Sequence, residues 1–187
     1  MRIIAGQFKN KKISQPKDRE TRPLKDLVKE SIFNIIEHSK LVKVNIKKSK
    51  VLDLFSGTGS FGLECISRGA SKVFFCENYF PAINVLEKNV NILNCSEKTK
   101  IFKKNVFQIL KNSELPKNTF EIIFLDPPFQ EKKVNTLLEI LIEEKLLKKN
   151  GIIILHRNKK DQDFFTEKFK ILINKKYGLS KIIFGNF

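Results

Sequence analysis

The chain has 187 residues, 41% hydrophobic and 30% charged, which suits one soluble globular domain and excludes a disordered or fibrous chain. Lysine and arginine number 36 against 20 acidic residues, a net charge of +16 that points to a polyanionic partner, nucleic acid or an anionic membrane surface. The bland alternative is compositional: the richness in Lys, Ile, Asn and Phe resembles AT bias.

Position decides between them. Residues 1–50 carry 14 basic and 5 acidic side chains, residues 51–130 carry 9 and 8, and residues 131–187 carry 13 and 7. A compositional bias would spread evenly. The excess instead brackets a nearly neutral middle, as expected for a small-molecule site flanked by polyanion contacts. Three cysteines (Cys65, Cys76, Cys95) and two histidines (His38, His156) show no metal-ligand spacing, so no metal is expected and the thiols read as free in a reducing compartment. No apolar run reaches membrane-spanning length, and Lys9, Lys11 and Lys12 precede any signal-type stretch, so a cytoplasmic location is expected.

In chain order, residues 2–13 predict a short basic hairpin turning near Lys9-Asn10. A polar linker over 14–21 follows. Pro23 then opens a helix to about Ser39, with Leu24, Leu27, Val28, Ser31, Ile32 and Ile35 on one face and Lys25, Lys29 and Glu30 on the other. From Lys50 strands and helices alternate: strands at 51–55, 72–76, 100–103, 120–125 and 151–156, with helices to about Arg68, over 81–94, near 106–110 and over 132–147. A last helix near Gln162–Phe169 precedes two strands, 170–177 and 179–184, around Gly178. The alternation predicts a doubly wound, mostly parallel sheet with one antiparallel member at the edge. Ligands in such sheets bind outside the carboxyl ends of the strands.

Two motifs fall there. Gly57-Thr-Gly59-Ser-Phe-Gly62 satisfies G-x-G-x-x-G between a strand and a helix, with Glu77 twenty residues past Gly57. Glycines let the backbone approach a ligand, and a carboxylate at the next strand end accepts from ribose hydroxyls. Asp53 would oppose a pyrophosphate but suits a ligand bearing an ammonium and a sulfonium, which S-adenosyl-L-methionine does. A glycine turn serving only helix–strand packing is the alternative. The second motif is Asp126-Pro127-Pro128-Phe129. A nucleobase amine has its lone pair delocalised into the ring; hydrogen bonds to the Asp126 carboxylate and the Pro127 carbonyl would favour a pyramidal nitrogen. The prolines fix the backbone and remove competing N–H donors, and Phe129 offers a face for an extruded base.

Phe55-Ser-Gly-Thr-Gly59 and Asp126-Pro-Pro-Phe129 resemble the cofactor and amino-methylating motifs of class I methyltransferases with a Rossmann-like fold. The chain resembles, more narrowly, the RsmD family of small-subunit ribosomal RNA guanine-N2 methyltransferases, through Arg2–Gln7, Thr21–Asn34 and Gly62–Ala70 as well. Asp-Pro-Pro-Phe is shared with adenine-N6 and protein-glutamine methyltransferases; the N-terminal Arg-Pro helix block narrows the match.

The resemblance implies that Asp53, Phe55, Ser56, Gly57, Thr58 and Gly59 hold the methionine part of the cofactor. Glu77, with Asn78 beside it, would hold the ribose, and Asn105 with Val106 the adenine. It also implies an RNA-contacting extension, residues 1–40, ahead of a catalytic domain over 41–187, with Arg2, Gln7, Lys9, Lys11, Lys12, Arg22, Lys25 and Lys29 as contacts. A monomer acting on ribosomal RNA or the small subunit is expected. The chain departs from the family pattern at Leu24 (often Thr), Leu27 (usually basic), Asn105 (commonly Asp) and His156 (often an acid). His156 reads as a strand-end polar residue rather than a base, because Asp126 already supplies the acceptor. The competing readings are an adenine-N6 methyltransferase on DNA or RNA, a catalytically idle RNA-binding assembly factor, and a protein-glutamine methyltransferase.

Overall fold

The computed structural model describes residues 1–16, 24–112, 114–128 and 130–187. Helix α1 (Asp26–His38) precedes β1 (Lys50–Leu54), α2 (Ser60–Ser67), β2 (Lys72–Cys76) and α3 (Phe80–Ile92). Then come β3 (Thr99–Phe102), α4 (Val106–Lys111), β4 (Phe120–Leu125), α5 (Val134–Glu143), β5 (Leu147–Asn158), β6 (Lys170–Tyr177) and β7 (Ser180–Asn186). The seven strands form one sheet in the order β3-β2-β1-β4-β5-β7-β6. Strands β1 to β5 pair in parallel, and β7 runs antiparallel to both β5 and β6. The antiparallel member is therefore β7, one strand in from the edge that β6 occupies.

Period-two alternation along the strands builds two cores. Val51, Phe75, Phe124, Ile154 and Phe184 face one side, where α1 and α2 cover them with Ile32, Phe33, Phe61 and Leu63. Leu52, Leu54, Ile123, Leu125 and Leu155 face the other, under α4 and α5. Three rings bind α1 to the sheet: Phe33 stacks on Phe61 at 5.3 Å between centroids, and Phe61 on Phe124 at 4.0 Å.

The N-terminal hairpin forms, with Arg2 bridged to Lys12 and Asn10 at positive φ in its turn. It is no longer ladder, because the Ile4 and Ala5 N–H groups donate instead to the Glu64 carboxylate on α2, at 2.8 and 2.9 Å. The expected helix start at Pro23 lies outside the described residues. No helix forms near Gln162–Phe169. Polar anchors tie that segment to the sheet and to α5 instead: Asp163 accepts from Arg157 on β5 and Lys181 on β7, and the Thr166 N–H donates to Asn135 on α5. Among the described residues no helix is long and apolar enough to cross a membrane.

Candidate active site

Sheet register brings the motifs together. Leu54 pairs with Cys76 on one side and Leu125 on the other, so Phe55, Glu77 and Asp126 leave their strands at one level. The ladder continues past the strand ends, with Asp126 N donating to Leu54 O and Ser56 N to Cys76 O. Alternation carries Asp53 to the same side as Val51, under α2.

The turn after β1 is held in an unusual backbone path: Phe55, Gly57 and Gly59 all have positive φ, at 59°, 53° and 81°. For Phe55 that conformation is sterically costly and marks a constrained site. The glycines divide by role. A methyl group at Gly62 would overlap the Phe75 ring and Val73, so this glycine serves helix–strand packing. Beside Gly57 the space is open. Ser56 and Thr58 are buried, and Thr58 O accepts from Asn89 on α3.

Asp53 is 1% exposed. Its Oδ2 accepts from Gly62 N at 3.0 Å, whereas its Oδ1 is buried with no hydrogen-bond partner among the described residues. Burial, reinforced by the nearby Asp126 and Glu77 carboxylates, pushes its pKa well up from the ordinary range against the Gly62 bond. A buried carboxylate oxygen without a donor is costly and is completed by a ligand that brings a cation. The residues fit a ligand with an ammonium group.

Glu77 is more occupied than the sequence suggests. Its Oε2 accepts from Gly57 N at 2.7 Å and its Oε1 from Asn78 N and Tyr79 N at 2.9 Å each. It thus ties the glycine turn to β2 while keeping lone-pair capacity for a further donor. Asn105 caps α4, its side-chain oxygen accepting from Phe107 N at 2.9 Å, and Val106 is buried behind it. The three thiols take no part in the site: all are buried, and burial pushes Cys95 up to about 11.

At the end of β4 the Asp126 side chain is partly open, 22% exposed, and its Oδ1 lies 2.7 Å from His156 Nδ1. His156 Nε2 is 2.9 Å from Ser180 Oγ. Arg157, beside it on β5, reaches back into the loop, with Nη1 donating to Pro128 O at 3.4 Å and Nη2 to Glu131 O at 3.1 Å. Pro127 is buried and Pro128 exposed. Sequence reasoning missed both contacts, for no local pattern links positions thirty residues apart. Phe129 lies outside the described residues.

Of the expected RNA contacts, Arg2, Gln7, Lys9, Lys11, Lys12 and Lys25 are exposed, and Arg22 lies outside the described residues. Gln7 also donates to Ile66 O at the C-terminal end of α2. Lys29 must be corrected. It is 0% exposed, donates to Arg2 O at 2.8 Å and Ser60 Oγ at 3.3 Å, and pairs with Glu64, so it cannot reach a phosphate. The helix turns it inward beside Val28 and Ile32, where a buried carboxylate compensates its charge.

A family model described as "Conserved hypothetical protein 95" matches residues 1–186. The Ribosomal RNA small subunit methyltransferase D of Haemophilus influenzae is 34% identical over 182 residues, which span 96% of this chain and 90% of that protein. The chain belongs to the RsmD family. A solved Haemophilus influenzae protein named a "putative methylase" superposes with a TM-score of 0.76 at 31% identity, covering 98% of this chain and 96% of its own. The yhhF protein of Escherichia coli shares the fold, with a TM-score of 0.82 at 22% identity, covering 99% and 96%.

The departures from the RsmD pattern now have places. Leu24 is buried in the core that α1 covers, and Leu27 is exposed on α1. Asn105 is a helix cap, and His156 is the hydrogen-bond partner of Asp126.

Proposed function

We propose that the chain transfers a methyl group from S-adenosyl-L-methionine to the N2 amine of a guanosine in small-subunit ribosomal RNA. The observation that carries this reading is the placement of Asp126 and its proline pair level with the Asp53–Glu77 cradle on adjoining strand ends. Membership of the RsmD family supports the substrate class.

Bound S-adenosyl-L-methionine supplies a methyl group already activated by its sulfonium. The chain supplies binding and orientation, worth most of such a catalysis. Asp53 Oδ1 would neutralise the cofactor's ammonium, and the turn from Phe55 to Gly59, open beside Gly57, would surround its methionine part. Glu77, with Asn78, would accept from the ribose, and Asn105 and Val106 would flank the adenine. Asp126 and the Pro127 carbonyl would accept from the two N–H groups of the guanine amine and bring its lone pair out of the ring. Pro128 O is already taken by Glu131 N and Arg157, which leaves Pro127 as the backbone acceptor of the motif and holds the loop rigid. Phe129 would stack on the base. The N–C bond would form as the S–CH3 bond of the sulfonium breaks to leave a neutral thioether, and the nitrogen would give up one proton to solvent. Exposed Arg2, Lys9, Lys11, Lys12 and Lys25 would meet RNA phosphates.

Mass spectrometry of nucleosides from ribosomal RNA, treated with active enzyme or left untreated, tests this. N2-methylguanosine is expected only with active enzyme. N6-methyladenosine in its place overturns the substrate, and no methylated nucleoside despite normal cofactor binding makes the chain a binding factor.

A further inference from the structure

Three side chains lie in a row across three neighbouring strands. Leu125 pairs with Leu155 in the parallel β4–β5 ladder, so one residue further on Asp126 stands level with His156. In the antiparallel β5–β7 ladder His156 pairs with Ile182, and Ser180, two residues before it, shares its face. The contacts follow: Asp126 Oδ1 to His156 Nδ1 at 2.7 Å, and His156 Nε2 to Ser180 Oγ at 2.9 Å. His156 is 8% exposed, whereas the Asp126 side chain opens to solvent.

An ionised Asp126 can only accept, so the imidazole carries its proton on Nδ1. The Ser180 hydroxyl can donate to Nε2 and favours that tautomer. Among the described residues no hydrogen bond is made to Asp126 Oδ2. We propose that His156 is a positioning residue for methyl transfer: by donating to Oδ1 it fixes the plane of the Asp126 carboxylate and reserves Oδ2 for the target amine. This rests on the reading of Asp126 as the amine's acceptor.

The physical need is clear. A carboxylate at the mouth of a loop turns easily about its terminal torsion, which is broad and two-fold. The amine's lone pair must be aimed within about 10–20° of the departing methyl, and such aim requires a supporting hydrogen bond on the acceptor. Arg157 fixes the backbone of the same loop from the same strand, so β5 holds both the main chain and the side chain of the motif.

The test uses the full chain, S-adenosyl-L-methionine and unmethylated small-subunit ribosomal RNA. His156→Ala lowers kcat by about 10- to 100-fold, the scale of a misplaced reacting group, with KM for RNA and Kd for the cofactor within about twofold. His156→Asn puts an amide N–H where Nδ1 stands and recovers most of the rate. His156→Gln, whose amide nitrogen lies nearer the Nε2 position, stays slow. The Asn and Gln variants keep a polar group at the site, so their contrast decides the matter even where the alanine variant folds poorly. Wild-type kcat in His156→Gln, or equal slowness in Asn and Gln, overturns the positioning role. Asp126→Ala separates the two layers: if it is slow while His156→Gln is fast, only this proposal fails, and if it runs at the wild-type rate, the acceptor reading fails with it.

Discussion

Lys29 Nζ lies 3.7 Å from Glu64 Oε2, and neither side chain has any exposed surface. Around this pair the N-terminal arm is bolted to the catalytic fold. Glu64 accepts from Ile4, Ala5 and Arg68, while Lys29 reaches the Arg2 carbonyl and the first residue of α2, Ser60. Burial lowers the Lys29 pKa, against the pull of Glu64 and Asp26. Lys29→Ala leaves Glu64 compensated by Arg68 but removes the bonds to Arg2 O and Ser60 and opens a cavity in the core, so it should cost about 2–5 kcal/mol. Thermal denaturation should show a Tm lower by roughly 4–20 °C at this chain length. The salt dependence of RNA binding by the surviving folded protein should be unchanged, because Lys29 meets no phosphate.

The glycines of the turn predict a clean separation between stability and binding. Gly62→Ala forces a methyl against the Phe75 ring and should cost about 1–3 kcal/mol, with little effect on cofactor affinity in the folded fraction. Gly57→Ala meets no neighbour among the described residues, so its penalty there is only backbone strain at φ 53°, of about 1–2 kcal/mol. Its methyl instead enters the open space beside the turn and should weaken the cofactor about tenfold or more. Chemical denaturation and calorimetry on both variants check the contrast.

Sequence alone carried the fold and the position of the glycine turn, because both are written in short-range signals. Short apolar runs bounded by polar and turn residues placed β1, β2 and β4 within a residue or so, and the glycine spacing located the turn. What failed was set by long-range pairing. Lys29 sits on a helix position that reads as solvated, yet the partner that makes its burial tolerable, Glu64, comes 35 residues later. Gln162–Phe169 has helix-compatible composition, but Asp161 and Asp163 are captured by Arg157 and Lys181 from two strands. The place of β7 between β5 and β6 is likewise a choice of partner, invisible in either strand's own pattern.

Asp53 predicts how cofactor binding depends on pH. Its folded-state pKa is raised by burial, so below that value the free protein carries it protonated and unable to pair with a cation. Cofactor affinity should therefore fall as pH drops through that raised value, with proton uptake or release on binding visible by calorimetry in two buffers. Asp53→Asn should weaken binding by about 1.5–3 kcal/mol and flatten the pH dependence. Stability moves the other way. A raised folded pKa favours folding below the ordinary carboxylate value and loses that contribution as pH rises through the folded pKa. Asp53→Asn should thus melt higher than wild type at pH above the raised value and lose that advantage as pH falls toward the ordinary carboxylate range.

The N-terminal arm predicts a salt effect. Lys9, Lys11 and Lys12 are exposed on the hairpin, away from the buried Glu64 anchor. If they meet phosphates, replacing all three with alanine should reduce the slope of log affinity against log salt by about two to three. Cofactor binding should stay intact, since the Ile4 and Ala5 backbone bonds to α2 remain. An unchanged slope would make the basic excess compositional.

In the proposed reaction Asp126 is the side-chain acceptor of the target amine, and it gives the most exposed prediction. Asp126→Ala removes the side-chain acceptor for the amine and leaves the Pro127 carbonyl in place. Methyl transfer should drop by roughly two to three orders of magnitude, the scale for losing one preorganised hydrogen-bond partner in a transition state. The loss should appear in kcat, with KM for RNA little changed, because in the proposed reading stacking and phosphate contacts would still hold the base. Cofactor affinity should not fall: the substitution removes a carboxylate that raises the Asp53 pKa, which favours the ionised partner of the ammonium. Folding should be only modestly affected, since Asp126 is partly open and its one described side-chain bond is to His156. Single-turnover methylation of ribosomal RNA, with cofactor titration in parallel, measures both. A variant that transfers methyl at the wild-type rate would remove Asp126 from the reaction.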